Sequence, residues 1–412
     1  MQLAVVSPFL DRRHGTERCI VEQIERFLQK PGCEVHVYSQ SINDFDVVPF
    51  SGLAAGPGIA GKAIWHRIPA VPGPHVVNFV WWYLANRGLR WFHRTFRSLR
   101  FDLIFSPGIN CADADAIVVH IVFHEFFRLV GHELRLLDTP LRSWPIVLHR
   151  ILYYHLIMAL EKRIYRKAGV ALAAVSSLTA REITVHFGRP DVTVIPNAVD
   201  LVRFNLQGRL RRRASARQAL QIPESDFVLA LVGNDWKKKG LTTLLDAIAA
   251  YPEIPFRVLV VGHDKCTPFL SQIRESSLEG RIQFIGPSVD VMQFYAACDV
   301  YAGPSLHDSF ALPPLEAMAC GLPVITSAGN GGSQVITEGV DGFVLSNPKD
   351  STALGELLRR LYEQPDLRRS VGENAARTAE SFTWERNALK TWEFLCEARA
   401  RKVSTTASAG RR

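Results

Sequence analysis

The chain has 412 residues, 47% of them hydrophobic and 21% charged, which excludes a disordered polypeptide and exceeds one ordinary hydrophobic core. A net charge of +8 and a pI near 9.2 favour anionic partners: phosphorylated substrates, an acidic membrane surface or nucleic acid. The seven cysteines, at 19, 33, 111, 266, 298, 320 and 396, form no close sequence pair, which argues against a zinc site or a disulfide framework and suits a reducing cytosol.

The opening run MQLAVVSPFL has no positive stretch ahead of it and reads as a buried strand, not a leader. A helix is expected from Glu17 to Gln29, then strands at 34–39, 102–108 and 116–120. The stretch 78–100, NFVWWYLANRGLRWFHRTFRSLR, sets arginines and aromatics at helical spacing. It fits an interfacial helix or a helix with a basic solvated side, and no nucleic-acid motif accompanies it, so no nucleic-acid partner is expected. A long helix follows at 142–167 and a strand at 170–176. Its apolar run at 146–160 is interrupted by His149, Arg150 and His155, so nothing here reads as transmembrane.

The string VIPNAVDLVRF (194–204) breaks the pattern and marks a linker, after which the design repeats. Strands are expected at 227–233, 256–262, 281–286, 300–305, 323–327 and 342–346, with helices between them. The basic run GRLRRR (208–213) reads as a solvated loop. The pattern predicts an α/β chain of two facing, doubly wound Rossmann-like domains, 1–195 and 196–382, with the active site at the carboxyl ends of the strands. A helix at 383–402 is expected to pack back across the junction or to pair as a coiled coil, and 403–412 to be a disordered basic tail.

The chemistry concentrates in DSFALPPLEAMACGLPVI (308–325). Pro313 and Pro314 open a helix, so residues 310–312 are expected to present backbone N–H groups at its N-terminus, a seat for phosphate or hydroxyl oxygens. Glu316 is expected in the first turn, and Asp308 in the loop before it. Both could equally serve the helix dipole and a turn cap. The run Lys237-Lys238-Lys239-Gly240 follows a strand and opens another helix, which sets cations where a diphosphate leaving group would gather charge.

The segment 308–325 resembles the signature of the retaining, metal-independent glycosyltransferases of the B-type fold, the glycosyl transferases group 1 family. VIPNAVDLVRF, VGNDWKKKGL and GNGGSQVITEGVDGFVL resemble its interdomain string, its phosphate loop and its last strand–helix unit. The resemblance implies a nucleoside diphosphate sugar as donor, with UDP the expected carrier and no cofactor, and a glycan or lipid-linked acceptor. It assigns the ribose hydroxyls to Glu316, the transferred sugar to Asp308, the leaving diphosphate to Lys239, and sugar and diphosphate contacts to the amides of Phe310, Ala311 and Leu312. Asp308 stands where the family has Glu, Ala311 where it has Gly (which requires a negative φ), and Asn234 where it commonly has Arg, with Lys237 or Lys238 able to replace that charge.

In the first half, Gly15 matches a glycine-rich donor or acceptor loop. His120 matches a sugar-pocket histidine, with His124 as competitor. The Asp-x-Asp strings at 44–46 and 113–115 read as loop or cap residues, and no metal is expected. The protein is expected in the cytoplasm, as its scattered cysteines suit, with an anionic membrane surface as a candidate partner. A nucleotide-sugar epimerase and a non-catalytic nucleotide-sugar-binding protein are the competing readings.

Overall fold

A computed structural model describes residues 1–50, 61–130, 144–288 and 290–409. The chain divides into two compact units: Met1–Ile195 together with Glu385–Arg412, and Pro196–Trp384.

Unit 1 contains strands β1 (Gln2–Val6), β2 (Phe9–Leu10), β3 (Glu34–Ser39), β4 (Ser41–Ile42), β5 (Val47–Pro49), β6 (Ala63–Arg67), β7 (Leu103–Ser106), β8 (Ala116–Val119), β9 (Ala171–Ala174) and β10 (Thr193–Val194). Its helices are α1 (Gly15–Phe27), α2 (His75–Phe96), α3 (Phe123–Val130), α4 (Trp144–Tyr165) and α5 (Ser177–Phe187). The main sheet runs β10-β9-β8-β7-β1-β3-β6-β5, with every pairing parallel, and β2 and β4 pair separately. Leu3 to Val6 and Ala116 to Val119 are buried on both sheet faces, as continuous apolar strands require.

Unit 2 contains β11 (Phe227–Val232), β12 (Phe256–Val261), β13 (Ile282–Ile285), β14 (Val300–Ala302), β15 (Val324–Ser327) and β16 (Phe343–Leu345), in the parallel order β13-β12-β11-β14-β15-β16. Its helices are α6 (Leu206–Ala219), α7 (Leu241–Ala249), α8 (Leu270–Glu275), α9 (Met292–Ala297), α10 (Leu312–Ala319), α11 (Ser351–Glu363) and α12 (Pro365–Ala379). Capping starts two of them: Asn205 accepts from Gly208 N at 2.7 Å ahead of α6, and Asp350 accepts from Ala353 N at 2.9 Å ahead of α11. The α/β class with parallel sheets in two domains is therefore as expected.

Three local expectations change. GRLRRR is not a solvated loop but part of α6. Arg213 donates to Cys298 O and Asp299, and fully buried Arg217 donates to Ala297 O, Pro223 O, Asp226 O and Asp299. Such a charge is tolerated inside because its donors are matched. The last helix, α13 (Trp384–Ala409), runs past 402, so 403–409 is helical rather than an irregular tail; 410–412 lie outside the described residues. From Glu385 onward it belongs to unit 1, where Asn387 and Thr391 accept from Gln23 of α1 at 2.8 and 3.2 Å and Trp392 packs on Phe27. The strands at 47–49, 63–67 and 193–194 add to those expected.

Beneath α2 lies a buried polar cluster. His36 Nδ1 meets His66 Nε2 at 2.8 Å, His36 Nε2 meets Glu34 at 2.9 Å, and Tyr38 OH meets His93 Nδ1 at 2.9 Å. Burial, with the His36 and His93 charges, pushes His66 down to about 2. Burial also lowers His36, against the opposing pull of Glu34, and lowers His93, beside Arg97 and His36. All three are depressed from the ordinary value near 6.5, so the folded chain binds fewer protons than the unfolded chain below that pH. The stability held above about pH 6.5 should therefore be lost as pH falls toward 2, at up to about 1.4 kcal/mol per pH unit for His66 alone. Urea midpoints should drop between about pH 7.5 and pH 5.5, and His66→Gln should shrink that drop.

Candidate active site

The order of the unit 2 sheet reverses at β11 and β14, so the connections leaving these neighbouring strands diverge at their carboxyl ends. The β11 loop begins at Gly233, with φ 131°. Asn234 Oδ1 accepts from His263 N, and Trp236 N donates to Asp264, each at 2.8 Å, which straps this loop to the one after β12. Asn234 thus holds backbone where the family commonly has a cation. Lys238 pairs with Asp235 at 2.6 Å.

Gly240 caps α7 with φ 85°, and a Cβ there would lie 2.2 Å from Pro304 O. No side chain fits, so the β11 loop presses against the β14 loop. A Cβ on Gly233 would likewise meet Lys239 Cε at 2.9 Å. The lysine stem lies over that glycine, and its ammonium pairs with the Asp308 carboxylate. The structure brings together two residues 69 positions apart.

Asp308 is fixed through its backbone: its N–H donates to Gly329 O at 2.8 Å, and its carbonyl accepts from Gly331 N at 2.7 Å. The next turn leads into α10, which starts at Leu312 rather than at the prolines; Pro313 is tolerated in its first turn. Glu316 therefore sits in the second turn, not the first. Ala311 has φ −65°, the negative value its side chain requires. Its N–H donates to Asn330 Oδ1 at 3.2 Å, so this amide is already engaged. Phe310 and Ala311 are buried. Glu316 is 8% exposed and accepts from Tyr295 OH at 3.0 Å. Burial, followed by the Glu316 charge, holds the Tyr295 hydroxyl well above its ordinary value, so it remains a donor.

The unit 1 sheet reverses at β1 and β7. After β1, Asp11 accepts from Arg13 N and His14 N at 2.7 and 2.9 Å, forming the turn that delivers Gly15 as the first residue of α1. His120 follows β8. Its Nε2 is buried with no hydrogen-bond partner, and burial lowers it to about 4, so the ring is neutral near pH 7. His124 is committed elsewhere: its Nδ1 meets fully buried Glu161 at 2.7 Å, and the same carboxylate accepts from Phe123 N and His124 N at the start of α3. Asp113 pairs with Arg90 at 2.5 Å, and Asp115 accepts from Ile104 N at 2.8 Å.

Three residues that organise unit 2 lay outside the sequence reading as site residues. Asn330 is fully buried; besides Ala311 N it accepts from Gly332 N at 2.9 Å, and it donates to Thr326 Oγ1 at 3.1 Å. Its cap pattern before two glycines was the available cue. Asn197, of the linker string, donates to Phe310 O at 3.5 Å. Tyr295 gave no local cue, since its partner lies 21 residues away.

Residues 14–203 match Glycosyltransferase Family 4, and residues 212–378 match Glycosyl transferases group 1. The chain is 32% identical over 217 residues to D-inositol 3-phosphate glycosyltransferase of Corynebacterium urealyticum, covering 49% of this chain and 50% of that one. It is 31% identical over 168 residues to the lipopolysaccharide glucosyltransferase WaaG of Escherichia coli, covering 40% and 45%. The chain spans about half the length of the curated relatives it matches. Among solved structures, WaaG superposes with a TM-score of 0.74 at 21% identity, over 94% of this chain and 98% of that one. Anabaena HepE, solved with UDP and glucose, gives 0.69 at 19%, over 96% and 99%. At these identities the likeness to the solved structures is one of fold.

Asn330→Ala removes the acceptor shared by two buried amides. It should cost about 2 kcal/mol or more in urea unfolding, the order expected when buried N–H groups lose their partner.

Proposed function

We propose that the chain, whose residues 212–378 match Glycosyl transferases group 1 and 14–203 Glycosyltransferase Family 4, is a retaining, metal-independent hexosyltransferase that uses a nucleoside diphosphate sugar, with UDP as carrier. The observation that carries this reading is the Lys239–Asp308 pair at the strand-order reversal of unit 2, with Glu316 on the helix that follows. Lys239 offers a fixed cation to the diphosphate, which gains charge as the anomeric carbon–oxygen bond breaks and its electron pair leaves with the phosphate. The acceptor hydroxyl oxygen bonds to that carbon from the same face, and its proton passes to the departing phosphate oxygen.

Glu316, held by the Tyr295 hydroxyl, suits two ribose hydroxyls, since a carboxylate has several lone pairs. Once Lys239 turns to the diphosphate, the Asp308 carboxylate is released to accept from sugar hydroxyls. The neutral His120 ring, with its unsatisfied Nε2, suits a sugar hydroxyl as well. The acceptor is a glycan or lipid-linked molecule of cell-envelope polysaccharide or glycolipid synthesis, met by a cytoplasmic protein peripheral to the membrane. Among the described residues no helix is long and apolar enough to cross a membrane.

Melting curves with UDP, GDP and ADP sugars should show the largest rise for UDP sugars, about 2.7 kcal/mol of stabilisation at a hundredfold excess over Kd. Release of nucleoside diphosphate should survive EDTA. Lys239→Ala should lower kcat about 10²–10³-fold, and Glu316→Ala should mainly raise the donor KM. Unchanged release in both variants would sink the assignment, and binding without turnover would leave a donor-binding protein.

A further inference from the structure

Helix α2 turns three polar side chains inward beside Trp82 and leaves several large apolar ones outward. Its buried positions are Trp82, Asn86, Arg90 and His93, and the last two reach Asp113 and Tyr38. On its outer side Leu84, Trp91 and Phe96 are 62%, 54% and 63% exposed. A surface helix ordinarily shows the reverse. From His75 to Phe101 there is no Asp or Glu, while Arg87, Arg94, Arg97 and Arg100 are exposed. Helix α4 lies against α2: Phe79 meets Tyr153 edge-on at 5.8 Å, and Val76 N donates to His149 Nε2 at 3.3 Å. It adds Ile146, Leu148 and Leu152, 64%, 58% and 58% exposed, with Arg150 exposed among them.

We propose that the outer faces of α2 and α4 form a docking surface for an anionic lipid bilayer. Tryptophan rings sit at the headgroup level, apolar side chains enter below it, and arginines meet lipid phosphates. A second copy of the chain fits less well. A two-fold pairing of this face would set arginine against arginine, with no carboxylate in the α2 stretch to offset them. The proposal deepens the lipid-linked acceptor reading above by naming the surface that meets the membrane. Vesicle binding needs no donor sugar, so its failure and a failure of transfer can be told apart.

The test uses the full chain with phosphatidylcholine vesicles, with and without phosphatidylglycerol, in sedimentation at low and high salt, alongside light-scattering mass measurement. Binding is expected on the anionic vesicles and should weaken with salt. Leu84→Ser/Trp91→Ser/Phe96→Ser should weaken it roughly tenfold or more without lowering the melting temperature. Arg87→Gln/Arg94→Gln should weaken it roughly tenfold and flatten the salt dependence. No binding by the unmodified chain, or equal binding by the triple variant, overturns the proposal. A dimer that the triple variant converts to monomer, with no vesicle binding, also overturns it and makes this face a contact between copies.

Discussion

Lys239 and Asp308 are held together by backbone that admits almost no adjustment. Gly240 touches Pro304, Gly233 lies under the lysine stem, and Asp308 is fixed at both its N–H and its carbonyl to the loop 329–331. The pair has low exposure, 13% and 23% at the side chains, where an isolated charge would be costly. Each charge is the other's counterion. Under the proposed function, an incoming diphosphate would compete with an internal carboxylate, and its entry would free that carboxylate for a second task. The Asp, one methylene shorter than the Glu that the sequence resemblance implies, is long enough to make this contact because the glycines bring the two loops so close.

The sheets were legible in the sequence because their strands are buried on both faces and read as unbroken apolar runs. Short edge strands such as 47–49 and 193–194 carry too few residues to show a period. Helix α10 was found one residue late because prolines advertise a helix start, whereas Leu312 ahead of them carries no cue. The run 208–213 misled for a different reason: an arginine that reaches a carbonyl, as Arg209 and Arg213 reach Cys298 O, has the same letter as a solvated one. Within the site, Lys239, Asp308 and Glu316 stood out through local motif and helix chemistry. Asn330 and Tyr295 did not, since their worth lies in bonds to residues 19 and 21 positions away.

Unit 1 shows how a sheet-covering helix can break the usual apolar-inward rule. Tyr38 and Asp113 give α2 polar partners on its inner side, and the His66 ring of β6 lies against His93. Asn86, Arg90 and His93 take inward positions beside Trp82, while Leu84, Trp91 and Phe96 face out. The interior network and the outer surface are thus two sides of one choice of sequence.

Unit 2 is inserted into unit 1: the chain leaves unit 1 after Ile195 and re-enters it at Glu385. During vectorial synthesis the eight-stranded sheet is complete long before its last helix emerges. Until then Gln23 of α1 lacks Asn387 and Thr391, and Phe27 lacks Trp392. The nascent first unit waits, with an uncovered helix face, for all of the second to leave the ribosome, and a message cut short before α13 would damage the half of the protein translated first.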